Sequence, residues 1–316
     1  MRRLILTTIL LLSVVSLRAE GVVRTTFHYA TTDNQELYLD RYTTSAESSE
    51  PRPCMIFAFG GGFVQGVRDH EYYSEYFRRL AEANIVVVSI DYRLGLRNLP
   101  KEGGVVAMIE AFDNAVNIAV EDLYSATNYV LQNAEEWGVD SSKIMISGSS
   151  AGAITAIQAE WMRCNGMPRA DVLPEGFKYA GVVSCAGAIF SLKGKPKFES
   201  APAPMLLFHG TSDSNVPYNY ASLFGVGFYG SEYITRQLDK LNSPYWFYSV
   251  EYADHRIAGT PLWDKCDLIL QFIRDYVIGG EALRIRTDVE SINGEKRPTR
   301  FKVKDYLKTN YKRDLI

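Results

Sequence analysis

One stretch constrains the fold more than any other: Ile144-Met-Ile-Ser-Gly-Ser-Ser-Ala-Gly-Ala-Ile154. Residues 144–146 read as a short apolar strand, Gly148-Ser149-Ser150-Ala151-Gly152 spells G-x-S-x-G, and an apolar helical pattern continues from Ile154. A strand that turns sharply into a helix puts the middle serine, Ser150, on a strained corner with its hydroxyl exposed. Gly148 and Gly152 let the two backbones pass without a Cβ between them. The helix start adds a partial positive charge beneath the serine. The bland alternative is a Ser/Gly loop, and the five-residue pattern alone does not separate the two; the strand before it and the helix after it do.

The rest of the chain repeats this strand-then-helix alternation. Residues 22–30 and 36–43 alternate around Thr32-Asp33-Asn34 and read as an antiparallel hairpin. Residues 54–59 form a buried strand, 72–83 an amphipathic helix, and 85–90 a nearly all-apolar strand of the kind found inside a parallel sheet. A loop at 94–104 precedes a long helical pattern from about 105 to 137, with Val116, Val120, Leu123, Val130 and Leu131 at helical spacing and Gly138 as its stop. After the serine come a helix at 153–164, a loop with two prolines, strands at 179–189 and 204–209, a mixed stretch whose helix is clearest from Glu232, a strand at 245–252 and a helix at 264–277. The expected architecture is α/β: a mostly parallel central sheet with an N-terminal antiparallel hairpin and helices on both faces.

The ends differ from this body. Met1-Arg-Arg followed by an apolar run from Leu4 to Leu17, with Ala19 as the cleavage position, reads as a secretory signal peptide at residues 1–19. The run is short for a membrane span. The expectation is therefore an extracytoplasmic catalytic domain at 20–280, secreted or periplasmic, with no membrane association once the leader is gone. Residues 281–316 carry ten Lys/Arg against six Asp/Glu and few apolar residues, and read as a basic C-terminal arm or tail beyond Gly279-Gly280. A net charge of -3 makes no electrostatic case for nucleic acid. The four cysteines, Cys54, Cys164, Cys185 and Cys266, have no metal-binding spacing and are too few for a disulfide scaffold. Free buried thiols are the expectation, with a Cys164–Cys266 bridge left open.

Three further features carry chemistry. Phe59-Gly-Gly-Gly-Phe63 follows a strand and precedes a helix, where glycines free the backbone to aim N–H groups at a developing oxyanion. Leu207-Phe-His-Gly-Thr-Ser-Asp213 delivers an Asp at the carboxyl edge of a buried strand, where ligands of open α/β sheets gather. His255, in Tyr252-Ala-Asp-His-Arg, follows the last strand. The histidines are His28, His70, His209 and His255, and His255 alone lies beyond both Ser150 and Asp213. Asp239 and Asp254 compete with Asp213, but Asp239 falls in a helical pattern and Asp254 adjoins the histidine. His209 reads as support for the Asp213 turn.

Gly-Gly-Gly-Phe, Asp91-Tyr-Arg93, Gly-Ser-Ser-Ala-Gly, His-Gly-Thr-Ser-Asp and the late Asp-His together resemble the α/β-hydrolase carboxylesterases, nearest to the secreted esterase/lipase group with its feruloyl and acetyl-xylan esterases. The resemblance covers roughly residues 50–277. It implies Ser150, Asp213 and His255 as a catalytic triad, in the family's chain order, and backbone oxyanion donors at Gly61, Gly62 and Ala151. It requires no metal or cofactor. Many relatives have His before the three glycines, where this chain has Phe59, and the continuation after Asp91-Tyr92-Arg93 is atypical. Asp91 and Arg93 read as an ion pair supporting the glycine loop.

The expected reaction is acyl transfer on a small-molecule or carbohydrate ester. With 20 Tyr and 15 Phe, the chain has rings to stack on sugar or aryl faces, although aromatic residues also serve as core. Phe63, His70 and Tyr218 are the candidate pocket residues, with Tyr220, Phe228 and Tyr229 nearby in sequence. Alternatively, His70 caps the helix at Tyr72. Two other functions fit the same motifs: a serine peptidase of the prolyl-oligopeptidase type, which usually brings a second domain, and a non-catalytic binding protein on the same fold.

Overall fold

The computed structural model describes residues 21–45, 48, 50–97, 104–223, 225–290 and 295–301. The leader expected at 1–19 lies outside the described residues, as does the chain beyond Phe301.

Strands β1 (Val22–Thr32) and β2 (Gln35–Thr44) form the hairpin, turning through Asp33 and Asn34, both at positive φ. Next come β3 (Arg52–Ala58), β4 (Val86–Ile90), β5 (Val139–Ser149), β6 (Gly181–Cys185), β7 (Ala188–Ser191), β8 (Met205–Gly210), β9 (Tyr220–Leu223), β10 (Val226–Gly230), β11 (Tyr245–Val250) and β12 (Arg284–Val289). Nine of them make one sheet in the order β1-β2-β4-β3-β5-β6-β8-β11-β12. The pairs β1·β2 and β2·β4 are antiparallel and every pair from β4 to β12 is parallel. Strands β4, β6 and β8 are buried along their whole length, as their mostly apolar sequences, each with a single Ser or His, suit strands covered on both faces.

The covering helices are α1 (Ser74–Glu82), α2 (Gly104–Gln132), α3 (Ala134–Trp137), α4 (Ala151–Cys164), α5 (Ser231–Lys240), α6 (Pro261–Asp264) and α7 (Cys266–Phe272). Tyr76 and Phe77 of α1 pack on Phe57 of β3. Helix α4 lies under the long α2 and is buried throughout except at Arg163. The helix read at 105–137 breaks at Asn133 and stops at Gly138, which takes the left-handed conformation. Beyond Phe272, α7 opens into a π turn, Ile273–Ile278. Among the described residues, no helix is long and apolar enough to cross a membrane.

Three findings differ from the expectations. The strand read at 179–189 is two strands, because Ala186 adopts φ 58° and turns the chain out of the main sheet. Strand β7 then joins β10 and β9 in a separate antiparallel sheet. The main sheet also does not end at Gly279-Gly280: β12, inside the stretch read as a basic arm, pairs in parallel with β11, from Tyr245↔Arg284 to Val250↔Val289. Its Arg-Ile-Arg-Thr-Asp-Val sequence is that of an edge strand, alternately exposed and half-buried.

The ion pair expected between Asp91 and Arg93 is absent. Arg93 instead grips Asp122 of α2, through Nε at 3.0 Å and its own N–H at 2.7 Å, and also reaches Asp33 and Glu121. Asp91 pairs with Arg68 at 2.7 Å. Each found a partner remote in sequence. All four cysteines are free and buried, so the Cys164–Cys266 bridge does not form.

Candidate active site

Strand β5 ends at Ser149 and α4 begins at Ala151, so Ser150 is the whole of the turn. Its backbone sits at φ 51°, ψ -114°, outside the regions an L-residue favours. Two hydrogen bonds hold it there: Ser150 N–H donates to the Cys185 carbonyl at 2.9 Å, and Ile154 N–H donates to the Ser150 carbonyl at 2.9 Å. The flanking glycines are obligatory. A Cβ on Gly148 would lie 2.2 Å from the Gly152 carbonyl carbon, and one on Gly152 would lie 2.0 Å from the Ala58 carbonyl oxygen.

Ser150 Oγ lies 2.7 Å from His255 Nε2, and His255 Nδ1 lies 2.8 Å from Asp213 Oδ2. Three side chains from loops after β5, β8 and β11 thus form one chain of hydrogen bonds across the carboxyl edge of the sheet. The other Asp213 oxygen accepts the Asn215 and Val216 N–H groups at 2.8 and 2.9 Å. Burial opposes ionisation of Asp213, but the imidazoles of His255 and His209 and their hydrogen bonds outweigh it and hold the carboxyl well below the usual range. His209 is fully buried; its Nδ1 lies 2.8 Å from Ser231 Oγ, and its Nε2 lies 3.1 Å from the Val216 carbonyl and 3.6 Å from Asp213. It therefore braces the Asp213 turn from below. The competing carboxylates are engaged elsewhere, Asp254 with Arg256 and Arg297, Asp239 with the Tyr245 hydroxyl.

The glycine loop forms the facing wall. Gly61, Gly62 and Phe63 all have positive φ, at 135°, 64° and 60°. Val64 and Gln65 N–H groups both return to the Gly61 carbonyl at 3.1 Å, and a Cβ on Gly61 would strike the Gln65 carbonyl at 1.9 Å. Gly60 N–H donates to the Tyr73 hydroxyl at 3.2 Å. Phe59 stacks on Tyr92, with ring centroids 4.5 Å apart, and the Tyr92 hydroxyl donates to the Phe59 carbonyl at 2.8 Å. An apolar residue therefore anchors the position where many relatives have His.

Ser150 and His255 open onto a cavity of about 660 Å³ that Gly61, Gly62, Phe63 and Ala151 also line. Its apolar end is a cluster of rings, Phe63, Phe112 and Phe228 backed by Phe190, with centroids 4.9 to 5.6 Å apart. Two of the expected pocket residues are not there. His70 lies in an adjoining cavity, and its Nδ1 accepts the Tyr72 N–H at 3.1 Å, capping the turn at Glu71–Tyr73. Tyr218 packs edge-on against His209 and beside Phe247, with its hydroxyl 2.8 Å from Ser249 Oγ, so it fills space beneath the Asp213 loop. Of its neighbours, Tyr229 is buried against Tyr220 and Tyr233, and only Phe228 reaches the cavity. Tyr73, Phe112 and Val216 line the cavity without having been marked by the sequence: Tyr73 and Phe112 sit in helical patterns that read as ordinary core, and Val216 in the polar turn after Asp213.

A model of the carboxylesterase family matches residues 15–160 of the chain, the part that holds both the glycine loop and the Ser150 turn. Over that part the chain is similar to the carboxylesterases. Over 117 residues it is 31% identical to esterase B1 of Culex pipiens, spanning 37% of this chain and 20% of that protein. Over the same length it is 34% identical to acetylcholinesterase of Gallus gallus, spanning 37% and 14%. The matched part of the chain thus corresponds to a fifth or less of those two relatives. In three dimensions it is similar to the apo form of Thermogutta terrifontis esterase 2, with a TM-score of 0.57, 25% identity, and coverage of 80% of this chain and 94% of that one. The same esterase phosphonylated by cyclosarin matches at TM-score 0.57 and 25% identity, with the same coverage.

Proposed function

We propose that this protein is a carboxylesterase-family serine hydrolase, exported, that cleaves acetyl or feruloyl esters of carbohydrates through an acyl-enzyme. The observation that carries the reading is the continuous relay Asp213–His255–Ser150, ending at a hydroxyl held on a strained turn inside a cavity. His255 Nε2 takes the Ser150 proton as Oγ bonds to the ester carbonyl carbon, whose π electrons move onto oxygen. The N–H groups of Gly61, Gly62 and Ala151 receive that oxyanion, each contributing roughly 2.7–4 kcal/mol on the evidence of single-donor removals. Collapse of the intermediate breaks the C–O bond, and the leaving alkoxide takes the proton from His255. Water then repeats the sequence on the acyl-enzyme, and Ser150 recovers its proton. Asp213 stays ionised and stabilises the imidazolium.

The similarity to an esterase that cyclosarin phosphonylates supports a nucleophilic serine here. The cavity volume is that of a small-molecule site, and the rings of Phe63, Tyr73, Phe112 and Phe228 suit an aryl or sugar face. Export rests on the Arg2-Arg3 and apolar Leu4 to Leu17 pattern. Ser150→Ala is expected to abolish p-nitrophenyl acetate hydrolysis with Tm unchanged; retained turnover rejects the assignment. Failure to release acetate or ferulate from acetylated and feruloylated xylans, while simple esters turn over, rejects the carbohydrate substrate. An intact leader on protein recovered outside the cytoplasm rejects cleavage after Ala19.

A further inference from the structure

Arg297 lies 42 residues beyond His255 in sequence, yet it touches the immediate neighbours of two relay members at once. Its guanidinium pairs with Asp254, next to His255, and its carbonyl accepts the Ser212 hydroxyl at 3.4 Å, next to Asp213. We propose that Arg297 is a positioning residue that fixes the imidazole of His255 against Asp213 and Ser150, an inference that rests on the hydrolase reading above.

The two loops are otherwise joined mainly through backbone. Thr211 N–H donates to the Val250 carbonyl at 3.0 Å, Ser212 N–H to the Ala253 carbonyl at 3.1 Å, and Tyr252 N–H to the Thr211 hydroxyl at 2.8 Å. These bonds stop at Ala253, one turn short of the histidine, and Tyr252 is held at φ 56°. The His255 turn itself is closed by Asp254, which accepts the Arg256 N–H at 3.1 Å and its Nε at 2.9 Å. Both contacts lie within the turn, so Arg256 shapes it without tethering it to anything. Beside the Asp254 end of the turn the surface is open. A cavity of about 420 Å³ undercuts it, lined by Tyr248, Glu251, Asp254, Asp264, Lys265 and Arg297. Ile257 and Ala258 anchor the far end of the turn in the core, which leaves the Asp254 end to polar tethers for its position. Arg297 supplies one from outside, and β12 brings the chain to this edge of the sheet to do so, with Glu251 N–H donating to the Val289 carbonyl at 2.8 Å.

The decisive variant is Arg297→Ala in the full chain, assayed with p-nitrophenyl acetate. A relay loosened by a fraction of an ångström should lose kcat on the order of tenfold with KM nearly constant. Arg297→Lys, which keeps the charge, should recover part of the loss. The double variant Asp254→Asn/Arg297→Ala should lose less than the product of the two single losses, because the two share one contact while Asp254 also holds Arg256. Hydrogen exchange at residues 211–213 and 252–256 should quicken in Arg297→Ala, a readout independent of substrate. Ser212→Ala, the milder change, should move kcat and exchange in the same direction and serves if Arg297→Ala does not fold. Wild-type kcat together with wild-type exchange in these variants overturns the inference, as does a change confined to KM. A wild-type protein that cleaves no ester sinks the hydrolase reading instead, and the exchange data then decide the tether alone.

Discussion

Replacing Gly152 by alanine tests the central geometric claim, that α4 and the end of β3 are in backbone contact beside Ser150. The added Cβ would fall 2.0 Å from the Ala58 carbonyl oxygen, 2.5 Å from its carbon and 2.6 Å from the Phe59 carbonyl oxygen. A Cβ does not approach closer than about 3 Å, and no flexible side chain is available to yield, so backbone must separate by roughly 1 Å. One wall carries Ser150 and the Ala151 N–H; the other runs straight into Gly60-Gly61-Gly62. The separation therefore falls across the space an oxyanion would occupy. Overpacking of this kind costs about 1–3 kcal/mol of stability. A displacement of about 1 Å in a catalytic constellation costs on the order of a hundredfold in rate. Gly166→Ala is the control. Gly166 has φ 56°, meets nothing within 4 Å, and closes the far end of α4. It should lose about 1 kcal/mol through backbone strain alone and keep kcat. Both variants are measured by thermal melting and p-nitrophenyl acetate turnover. If Gly152→Ala keeps wild-type kcat, or loses no more than Gly166→Ala at equal stability, the contact does not position the site.

Three other predictions follow from buried groups. Asp40 is fully buried, accepts the Thr26 hydroxyl at 2.6 Å and faces Arg68 at 3.2 Å; Arg68→Ala should leave its charge only the half-exposed Arg24 at 4.0 Å and cost roughly 3 kcal/mol in urea unfolding. Because the folded state holds the Asp213 pKa below its unfolded value of 3.8, its stabilisation is complete at neutral pH and is lost as pH falls below that value. Asp213→Asn should therefore lower the urea midpoint more at pH 7 than at pH 3, with the gap widening as the pH falls further, while abolishing most turnover. Phe228→Ala should open the ring-lined end of the cavity, and the ratio of kcat/KM for p-nitrophenyl butyrate over acetate should rise; an unchanged ratio excludes that end from substrate contact.

Much of this protein is legible locally. The strand, turn and helix around Ser150 are contiguous, so apolar periodicity and two glycines suffice to place a strained serine. The mostly apolar runs of β3, β4, β6 and β8 mark central strands because only strands covered on both faces dispense with alternation. Chain order then matches Asp213 and His255 to Ser150, since parallel strands deliver their following loops to one edge of a sheet. What tertiary structure alone decided is the set of contacts made across that edge and between layers. Arg93 chose Asp122 over Asp91, Tyr218 turned beneath the Asp213 loop, and Phe112 and Phe228 met in the cavity. None of these has a signature in sequence, because an aromatic at helical spacing or an arginine at a strand end looks the same whichever neighbour it meets. Strand β12 was hidden for a related reason: an edge strand gains its partner through backbone hydrogen bonds, which any sequence can make.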